Sequence, residues 1–540
     1  MKKYFSLFVI AVSLPLIMWH VCGILPTYDD YTSLQSPWWI QIADDGYIQQ
    51  DSYRRPFDFL FGCLVGHFPV LYPTLNHVVI LLGHTANALL VFALCRRLVG
   101  DASKLSGNPA VVGDASKRCN QAMRATNIAT LFFFFSPATL GATLACDGLN
   151  QTFAQFWGLL ALWTYLSTLT TPVSYAATSL QPPHLSLLTS HKWLLCVLMA
   201  VLSKENGLAW AVVPPIVAFA FRLTPLRQAA RDAGKGIVLA LAYLAILYLL
   251  IHSGIVGIDY PEEYSETSLM SHLKDLVQLL AYTWVPLDYM SAVYAPSRNL
   301  AIVAITALMS LPFLLLLAIR FWLAVKAGSP HARCLLLLVA CFFILVSPHL
   351  ITVVSIMHNY AALSIAAIIV AALLSPNSPT PYSSPEGRGA VVNEVSPSGE
   401  GWWGPGCLWW GFALFLAAAL FTDVHHYIAA RESGFLGKRL AMQAIESAKE
   451  PVRKALVVSI DDPREPRYSS FCVRPADAFG WGLSVRHYTG YAWKTVISEA
   501  KFDHYDPAEV KAVADSALHA GCEAVWVAGH KTDSLQVIVP

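Results

Sequence analysis

Apolar stretches long enough to cross a lipid bilayer recur along the whole chain, and they limit its fold more than any other feature. A transmembrane helix needs about 20 mostly apolar residues. Such stretches centre on residues 5–25, 74–95, 125–144, 151–169, 192–203, 206–221, 236–255, 299–320, 334–350, 355–374 and 405–422. The sequence therefore predicts a polytopic α-helical membrane protein with eleven transmembrane helices.

Composition agrees with this class and excludes others. Only 13% of the 540 residues are charged, whereas soluble domains carry about 25%. The formal net charge is +1, so the overall charge does not favour binding to nucleic acid, and the expected environment is the lipid bilayer. The sequence contains no P-loop or dinucleotide-binding fingerprint, which argues against an ATP-driven pump.

Basic residues predict how the chain is oriented. Lys2 and Lys3 precede the first stretch, which lacks a small-residue cleavage site and is expected to stay as an uncleaved helix. Later Lys and Arg residues cluster in alternate loops, at 95–124, 221–235 and 320–333, whereas the loops between them are acidic. Basic loops favour the cytoplasm. We therefore expect a multi-pass protein of the plasma (inner) membrane with a cytoplasmic N-terminus and an extracytoplasmic C-terminus.

The chain divides into a membrane domain and a small C-terminal module. The membrane domain covers residues 1–422 and includes a large first external loop at 26–73. A segment rich in Pro, Ser and Gly, 375–406, predicts a flexible cytoplasmic linker before the last span. Residues 423–540 predict an amphipathic helix followed by a small extracytoplasmic α/β module.

Within the module, the stretches "ALVVSI" and "EAVWVAG" predict strands. Asp506 as N-cap, Pro507 at the first helical position and a closing Gly521 predict a helix between them. Cys472 and Cys522 share this polar region, so the sequence leaves a disulfide between them open.

The first external loop holds the densest group of residues that can carry chemistry. Asp29 and Asp30 follow the first span directly, and Arg54 and Arg55 lie near the end of the loop. A carboxylate at a membrane surface can act as a general base or coordinate a divalent metal, and arginine binds phosphate in a forked geometry. This combination suits a reaction on a phosphate-bearing lipid, although a solvated loop with scattered charges explains it equally well.

Two further sites interrupt the apolar pattern. Asp147 follows the third stretch, where a polar helix cap is the simpler interpretation. Lys204 and Glu205 split an otherwise continuous apolar region. Charges at membrane depth are costly and are usually functional or paired. A functional pair is therefore favoured over a short external turn.

Histidines lie on two of the predicted helices. His77 and His84 are seven positions apart, whereas a shared metal ion favours a spacing of four, so hydrogen bonds between helices are expected instead. His358 and Tyr360 lie at the external start of a late span.

In this order the motifs resemble those of the GT-C superfamily of polytopic membrane glycosyltransferases, such as protein O-mannosyltransferases and lipid A aminoarabinose transferases. The resemblance covers residues 5–370. It rests on "YDD" after the first span, "YRRP" (Tyr53–Pro56), "NHVVILLGHTANALLVF" (76–92), Asp147 and the pair Lys204–Glu205. One position departs from the family: His358 stands where an arginine often precedes the late tyrosine.

The resemblance implies an enzyme that transfers a sugar from a polyprenyl-phosphate carrier to an extracytoplasmic acceptor, with inversion. By this resemblance Asp29 is the base, Asp30 its partner, and Asp147 orients the acceptor or a metal. The residues that would face the carrier phosphate are Arg54, Arg55, Lys204 and His358, with Glu205, His77 and Tyr360 in support. Whether a divalent metal takes part is left open.

Two other functions stay open. A secondary transporter would show matching halves and charges at the bilayer midplane, and neither is evident in the sequence. A polysaccharide polymerase or ligase of the O-antigen type would depend on a large late external loop, and residues 256–298 have that size.

Overall fold

The computed structural model describes residues 2–26, 74–100, 112–145, 148–170, 191–253, 268–287, 300–328, 330–351, 356–375, 405–448, 450–460, 479, 482–490, 492–529 and 535–538. Helices occupy each of the apolar stretches. They are α1 (Phe5–Val21), α2 (Thr74–Cys95), α3 (Val112–Phe134), α4 (Leu140–Thr143), α5 (Leu149–Thr170), α6 (Lys192–Ser203), α7 (Val213–Ala220), α8 (Leu226–His252), α9 (Leu269–Trp284), α10 (Leu300–Lys326), α11 (Pro330–Val346), α12 (Tyr360–Leu374) and α13 (Pro405–Ser447). Short 3₁₀ segments join some of them: Pro137–Thr139, Glu205–Ala211, Ser347–Ile351 and Ile356–Asn359.

Several of these helices have the length and composition of membrane spans. In the described ranges six qualify, or seven if the pair Cys119–Phe134 and Pro137–Thr143, which is bent by 45°, counts as one span. Shorter apolar helices, such as α1 and α6, accompany them. The helical membrane class is thus supported, while the number of eleven spans stays a prediction.

Burial separates the inner helices from the outer ones. Every residue of α12 is buried, so this helix forms the centre of the bundle. By contrast, the apolar side chains of α8 are largely exposed, for example Val238 and Leu249. A helix that is apolar on an exposed face is stable in lipid rather than in water.

The regular helices are interrupted at a few points. After α3, Pro137 opens a 3₁₀ turn, and the Ser136 hydroxyl accepts a hydrogen bond from the Ala138 N–H. After α6, the chain turns back at Lys204. A Cβ on Gly207 would collide with the backbone of Ala200, so only glycine lets this segment pack closely on α6.

The C-terminal module is a four-stranded mixed sheet in the order β2-β1-β3-β4. The strands are β1 (Lys454–Ile460), β2 (Val496–Phe502), β3 (Ala524–Gly529) and β4 (Leu535–Ile538), with the helices α14 (Leu483–Tyr488) and α15 (Pro507–His519). The β1–β2 and β1–β3 pairs are parallel, and the β3–β4 pair is antiparallel.

Local signals in the module are confirmed. Both predicted strands form, as β1 and β3. The carboxylate of Asp506 caps α15 by accepting hydrogen bonds from the N–H groups of Ala508 and Glu509. Cys522 is a free, buried thiol, and Cys472 lies outside the described residues.

The last membrane helix continues directly into the module. α13 runs without interruption for 43 residues, about 65 Å, and so crosses the predicted boundary between residues 422 and 423. Phe415 packs inside the bundle, whereas Leu440 and Ala444 pack against the sheet. The predicted amphipathic helix is therefore the second half of α13. The loop at 256–298 contains a further helix, α9, that the sequence did not indicate.

Candidate functional site

A group of buried and half-buried polar side chains lies where four interrupted segments of the bundle meet. We call it the Lys204 cluster, and it consists of Asn150, Gln151, Lys204, Asn206, His349 and His358. The first two residues begin α5, and Lys204 and Asn206 follow α6. His349 and His358 belong to the 3₁₀ segments between α11 and α12.

Hydrogen bonds and ring stacking connect the members of the cluster. The Lys204 ammonium donates to Oδ1 of Asn150 over 3.4 Å. The Asn206 amide donates to Oε1 of Gln151 over 3.1 Å and to Nε2 of His349 over 3.3 Å. The rings of His349 and His358 stack with their centroids 4.3 Å apart and their planes at 14°. The four segments therefore form one continuous polar surface inside the bundle.

The electrostatics of the cluster favour an anion. The Lys204 ammonium lies close enough to both imidazoles to interact with them electrostatically, and it is the cationic group of the cluster. The amino ends of α5 and α12 lie beside it, and the N-terminus of a helix carries a partial positive charge. Asn206, which is 7% exposed, and Gln151, which is 2% exposed, lie in a region of low polarity where such interactions are strong.

Several buried amides around the cluster have hydrogen-bonding atoms without a partner in the described chain. They are Nε2 of Gln151, both polar atoms of Gln155, Oδ1 of Asn206 and both polar atoms of Asn359. Gln155 lies one turn after Gln151 on α5, and Asn359 follows His358 directly. Buried amides in proteins are normally hydrogen-bonded. A ligand with hydroxyl and phosphate oxygens would find both donors and acceptors here.

A second buried polar group has a different character. In this group, the His84 network, Nε2–H of His84 donates to the Phe134 carbonyl over 3.1 Å, and Nδ1 accepts from the Tyr360 hydroxyl over 2.8 Å. The Asn87 amide donates to the Tyr360 hydroxyl and to the Thr152 carbonyl, each over 3.1 Å. These bonds join α2, α3, α5 and α12. The network therefore packs helices together, as expected from the spacing of the histidines.

The structure places some of the predicted site residues and not others. Lys204 and His358 come together in the Lys204 cluster, and Glu205 follows Lys204 in the chain. Tyr360 belongs to the His84 network, and His77 contacts the backbone of Ile24 beyond the end of α1. The remaining predicted residues lie outside the described chain: Asp29, Asp30, Arg54, Arg55 and Asp147.

The two ends of the segment 27–73 lie side by side. The Thr74 hydroxyl, at the start of α2, donates to the Cys22 carbonyl over 3.3 Å, just after α1 ends. The predicted catalytic loop therefore leaves and re-enters the bundle at one place.

Sequence reasoning missed four members of the cluster: Asn150, Gln151, Asn206 and His349. Asn150 and Gln151 lie in the polar stretch "DGLNQTF" after the third span, and Asn206 follows the charged pair. His349 lies at the very end of a predicted span, next to Pro348. For each of these residues, the only signal in the sequence was a polar side chain at the end of a predicted span.

A metal site is not formed by the described residues alone. Within these ranges no three side chains among His, Cys, Asp and Glu converge on one point. In the Lys204 cluster the ammonium of Lys204 repels a divalent cation. Metal dependence therefore stays open.

Known proteins give no assignment for this site. No protein-family model, no curated protein and no solved structure matches the chain. The resemblance to the GT-C superfamily therefore rests on the motifs alone, and the function must follow from the chemistry of the residues.

Proposed function

We propose that this protein is a membrane glycosyltransferase of the GT-C type. It takes a sugar from a polyprenyl-phosphate carrier and transfers it, with inversion, to an acceptor on the extracytoplasmic side. The observation that carries the proposal is the Lys204 cluster, a positively charged and amide-rich surface buried in a bundle of apolar helices.

The ammonium of Lys204 suits the carrier phosphate. A lipid phosphate provides the opposite charge, and lysine binds phosphate as a point charge. The Asn150 amide, 3.4 Å away, orients the ammonium, and the adjacent amino ends of α5 and α12 add to the attraction.

The buried amides suit the sugar. Each sugar hydroxyl both donates and accepts a hydrogen bond, and so do the side-chain amides of Gln155 and Asn359. Their atoms lack partners in the described chain, and a hydroxyl-rich ligand would satisfy them. A phosphate-linked sugar presents both chemistries in one molecule.

The proposed reaction is a single inverting displacement. Asp29 removes the proton from the acceptor group, whose oxygen attacks the anomeric carbon of the sugar. The bond from that carbon to the phosphate oxygen breaks, and the phosphate leaves with the electron pair. Lys204, together with Arg54 and Arg55, stabilises the negative charge that develops on it.

The proposed topology follows the basic loops. It keeps eleven spans in the plasma membrane, a cytoplasmic N-terminus and an extracytoplasmic C-terminal module. The six helices that meet the criteria for a span are then six of these eleven proposed spans. α1, α6 and the segment Glu205–Ala220 are the shorter spans, and short spans are tolerated where neighbouring protein covers the backbone.

The test measures carrier-linked sugars by mass spectrometry in cells that lack the gene. Complementation with the wild-type gene should clear one polyprenyl-phosphate sugar that otherwise accumulates, and Asp29→Asn should not. If no such lipid changes, or if Asp29→Asn clears it fully, the proposed reaction is wrong.

One observation favours a second candidate, a polysaccharide polymerase or ligase. The loop at 256–298 contains α9, which packs against Ser347–Ile351 and Ile356–Asn359 of the Lys204 cluster region. A large external loop with its own helix at the site suits a polymeric acceptor. In that case the accumulating lipid would carry an oligosaccharide instead of a single sugar.

A further inference from the structure

Two arginines meet where α7 ends and α11 begins. The guanidinium of Arg333, in the first turn of α11, lies 4.4 Å from the centre of the Phe219 ring, in the last turn of α7. Arg222 follows α7 and lies close enough to Cys334 of α11 to act on its thiol electrostatically. Each arginine therefore reaches the helix beside the other, and we call Arg222 and Arg333 the arginine pair.

Within the described ranges, no acid neutralises the arginine pair. Neither guanidinium forms an ion pair or a side-chain hydrogen bond with a described residue. The one acid of α8, Asp232, is engaged elsewhere: it accepts a hydrogen bond from the Tyr165 hydroxyl over 3.1 Å and pairs with Lys235 at 2.7 Å. Two cationic groups held together without an acid create a positive potential that attracts an anion.

The backbone at Arg222 has a conformation that favours glycine. Its φ is 57°, and in the described ranges it is the one residue besides glycine with a positive φ. The N–H groups of Arg222 and Leu223 donate to carbonyls in the last turn of α7 over 3.0 and 2.9 Å. Glycine is the usual residue at this position of a helix end, and a residue with a Cβ is strained there. Strain of this kind points to a function for the arginine side chain.

An apolar surface continues from the arginine pair into the membrane. On α11, Leu336 and Phe343 follow Arg333 along one face, and both are exposed. α8 packs against α7 as well and exposes Ile237 and Leu241. Apolar faces of this kind contact lipid chains, and the basic loops at this end predict the cytoplasmic leaflet. The arginine pair therefore lies where a lipid head group meets its acyl chains.

The arginine pair is separate from the Lys204 cluster. Lys204 precedes the 3₁₀ segment Glu205–Ala211, and Arg222 follows α7, which continues from it. Seven residues of 3₁₀ helix and eight of α-helix span up to about 26 Å, close to the thickness of the hydrocarbon core. α8 packs against both parts, so this segment runs along α8 and keeps the two cationic groups at its opposite ends.

We infer that the arginine pair binds the phosphate of an anionic phospholipid from the cytoplasmic leaflet. Arginine holds a phosphate through two parallel hydrogen bonds, and here two helices each supply a guanidinium. The acyl chains then lie along Leu336 and Phe343. Basic pockets between membrane helices bind anionic head groups, whereas the cation of a zwitterionic head group offsets the attraction. This inference does not depend on the proposed glycosyl transfer.

The experiment compares lipid binding by four full-length proteins: wild type, Arg222→Gly, Arg222→Gly combined with Arg333→Gln, and Arg124→Gln. Native mass spectrometry of the purified proteins measures the affinity for added phosphatidylglycerol, phosphatidylcholine and polyprenyl phosphate. Arg222→Gly removes the charge at a backbone position that suits glycine, so misfolding is not expected, and thermal unfolding checks this. Arg124 is the matched control, because it is an exposed arginine of α3 on the same predicted side of the membrane.

Wild type should bind phosphatidylglycerol at least about fivefold more tightly than phosphatidylcholine. Arg222→Gly should reduce this preference to about twofold or less, and the double variant should abolish it, whereas Arg124→Gln should keep it. Arg222→Gly should unfold at the temperature of wild type or above, because glycine relieves the strain. All four proteins should bind polyprenyl phosphate within about twofold of one another.

Three results would overturn the inference. The first is a double variant that still prefers phosphatidylglycerol as wild type does. The second is an equal loss of preference in Arg124→Gln, which would show that only the total charge matters. The third is loss of polyprenyl-phosphate binding in the double variant, because the arginine pair would then hold the carrier instead of a phospholipid.

Discussion

The bundle buries two groups of polar side chains, and their difference separates packing from function. The His84 network lies in regular helices, and both ring nitrogens of His84 are hydrogen-bonded. The Lys204 cluster lies on 3₁₀ segments and helix ends, carries a charge, and is surrounded by amides with unused donors and acceptors. The His84 network leaves one buried atom, Oδ1 of Asn87, without a partner in the described chain, whereas the Lys204 cluster and the amides around it leave six. Buried amides are normally hydrogen-bonded, so this excess favours a ligand at the Lys204 cluster.

The largest expected effect is loss of turnover on removing the charge of the Lys204 cluster. Lys204→Met should reduce clearance of the carrier-linked sugar at least 100-fold, because the departing phosphate loses its nearest cation. Lys192→Met is the matched control, since Lys192 is exposed at the opposite end of the same helix, α6. Mass spectrometry of cellular lipids gives the readout. Equal loss in both variants would show that the effect is not specific to the cluster.

Gly207 and Gly83 offer the next comparison, because Gly207 adjoins the Lys204 cluster and Gly83 adjoins the His84 network. A Cβ on Gly207 meets the backbone of Ala200, whereas a Cβ on Gly83 meets only the methyl group of Thr152, at 2.5 Å. Gly207→Ala should destabilise the protein by about 1–3 kcal/mol and impair activity, since the segment with Lys204 must move. Gly83→Ala should destabilise the protein less, because the Thr152 side chain can move aside more easily than a backbone segment. Thermal unfolding in detergent ranks the two, and the reverse order would contradict the packing described here.

Tyr360→Phe should affect stability and leave activity nearly unchanged. It removes the hydroxyl that bonds His84 and Asn87, at a cost of about 1–3 kcal/mol for buried groups left without a partner. Tyr248→Phe, at an exposed tyrosine, should change stability by less than about 0.5 kcal/mol. The measurement is thermal unfolding alongside the lipid assay. A large loss of turnover with unchanged stability would place the His84 network in the site.

The smallest effect concerns a half-buried histidine of the C-terminal module, His487. Burial, and to a lesser degree the Lys438 ammonium, lowers the pKa of His487 from 6.5 to about 4. Between these values the unfolded chain binds a proton that the folded module does not, so stability falls as the pH decreases from about 6.5 to 4. His487→Gln should flatten this decline, whereas His504→Gln, at an exposed histidine, should not. Hydrogen exchange of the β1 and β3 amides, measured at several pH values, reports the stability of the module. If wild type and His487→Gln show the same dependence on pH, burial does not lower the pKa of His487.

Local patterns predicted the elements of this fold well. Hydropathy located the helices because a span needs a long apolar run wherever it packs. Capping chemistry located α15 from Asp506, Pro507 and the closing Gly521. The continuity of α13 was not predictable from hydropathy, because its first half is apolar like a membrane span and its second half is amphipathic and packs on a sheet. The composition therefore changes near residue 422 as it would at a domain boundary, although the helix continues.

The site was only partly predictable, for a different physical reason. Lys204 was evident because a charge in an apolar region is conspicuous in the sequence. His349 and Gln151 were not, because their importance arises from segments that meet only in three dimensions.

The most direct test of the central claim is equilibrium binding of polyprenyl phosphate to the purified protein in nanodiscs. Wild type, Lys204→Met, Lys192→Met and Tyr360→Phe would be compared at equal concentrations of folded protein. We expect saturable binding that Lys204→Met weakens at least tenfold, about 1.4 kcal/mol or more, and that the other two variants retain. If Lys204→Met binds polyprenyl phosphate as wild type does, the Lys204 cluster is not the carrier-phosphate site, and the proposed function loses its main support.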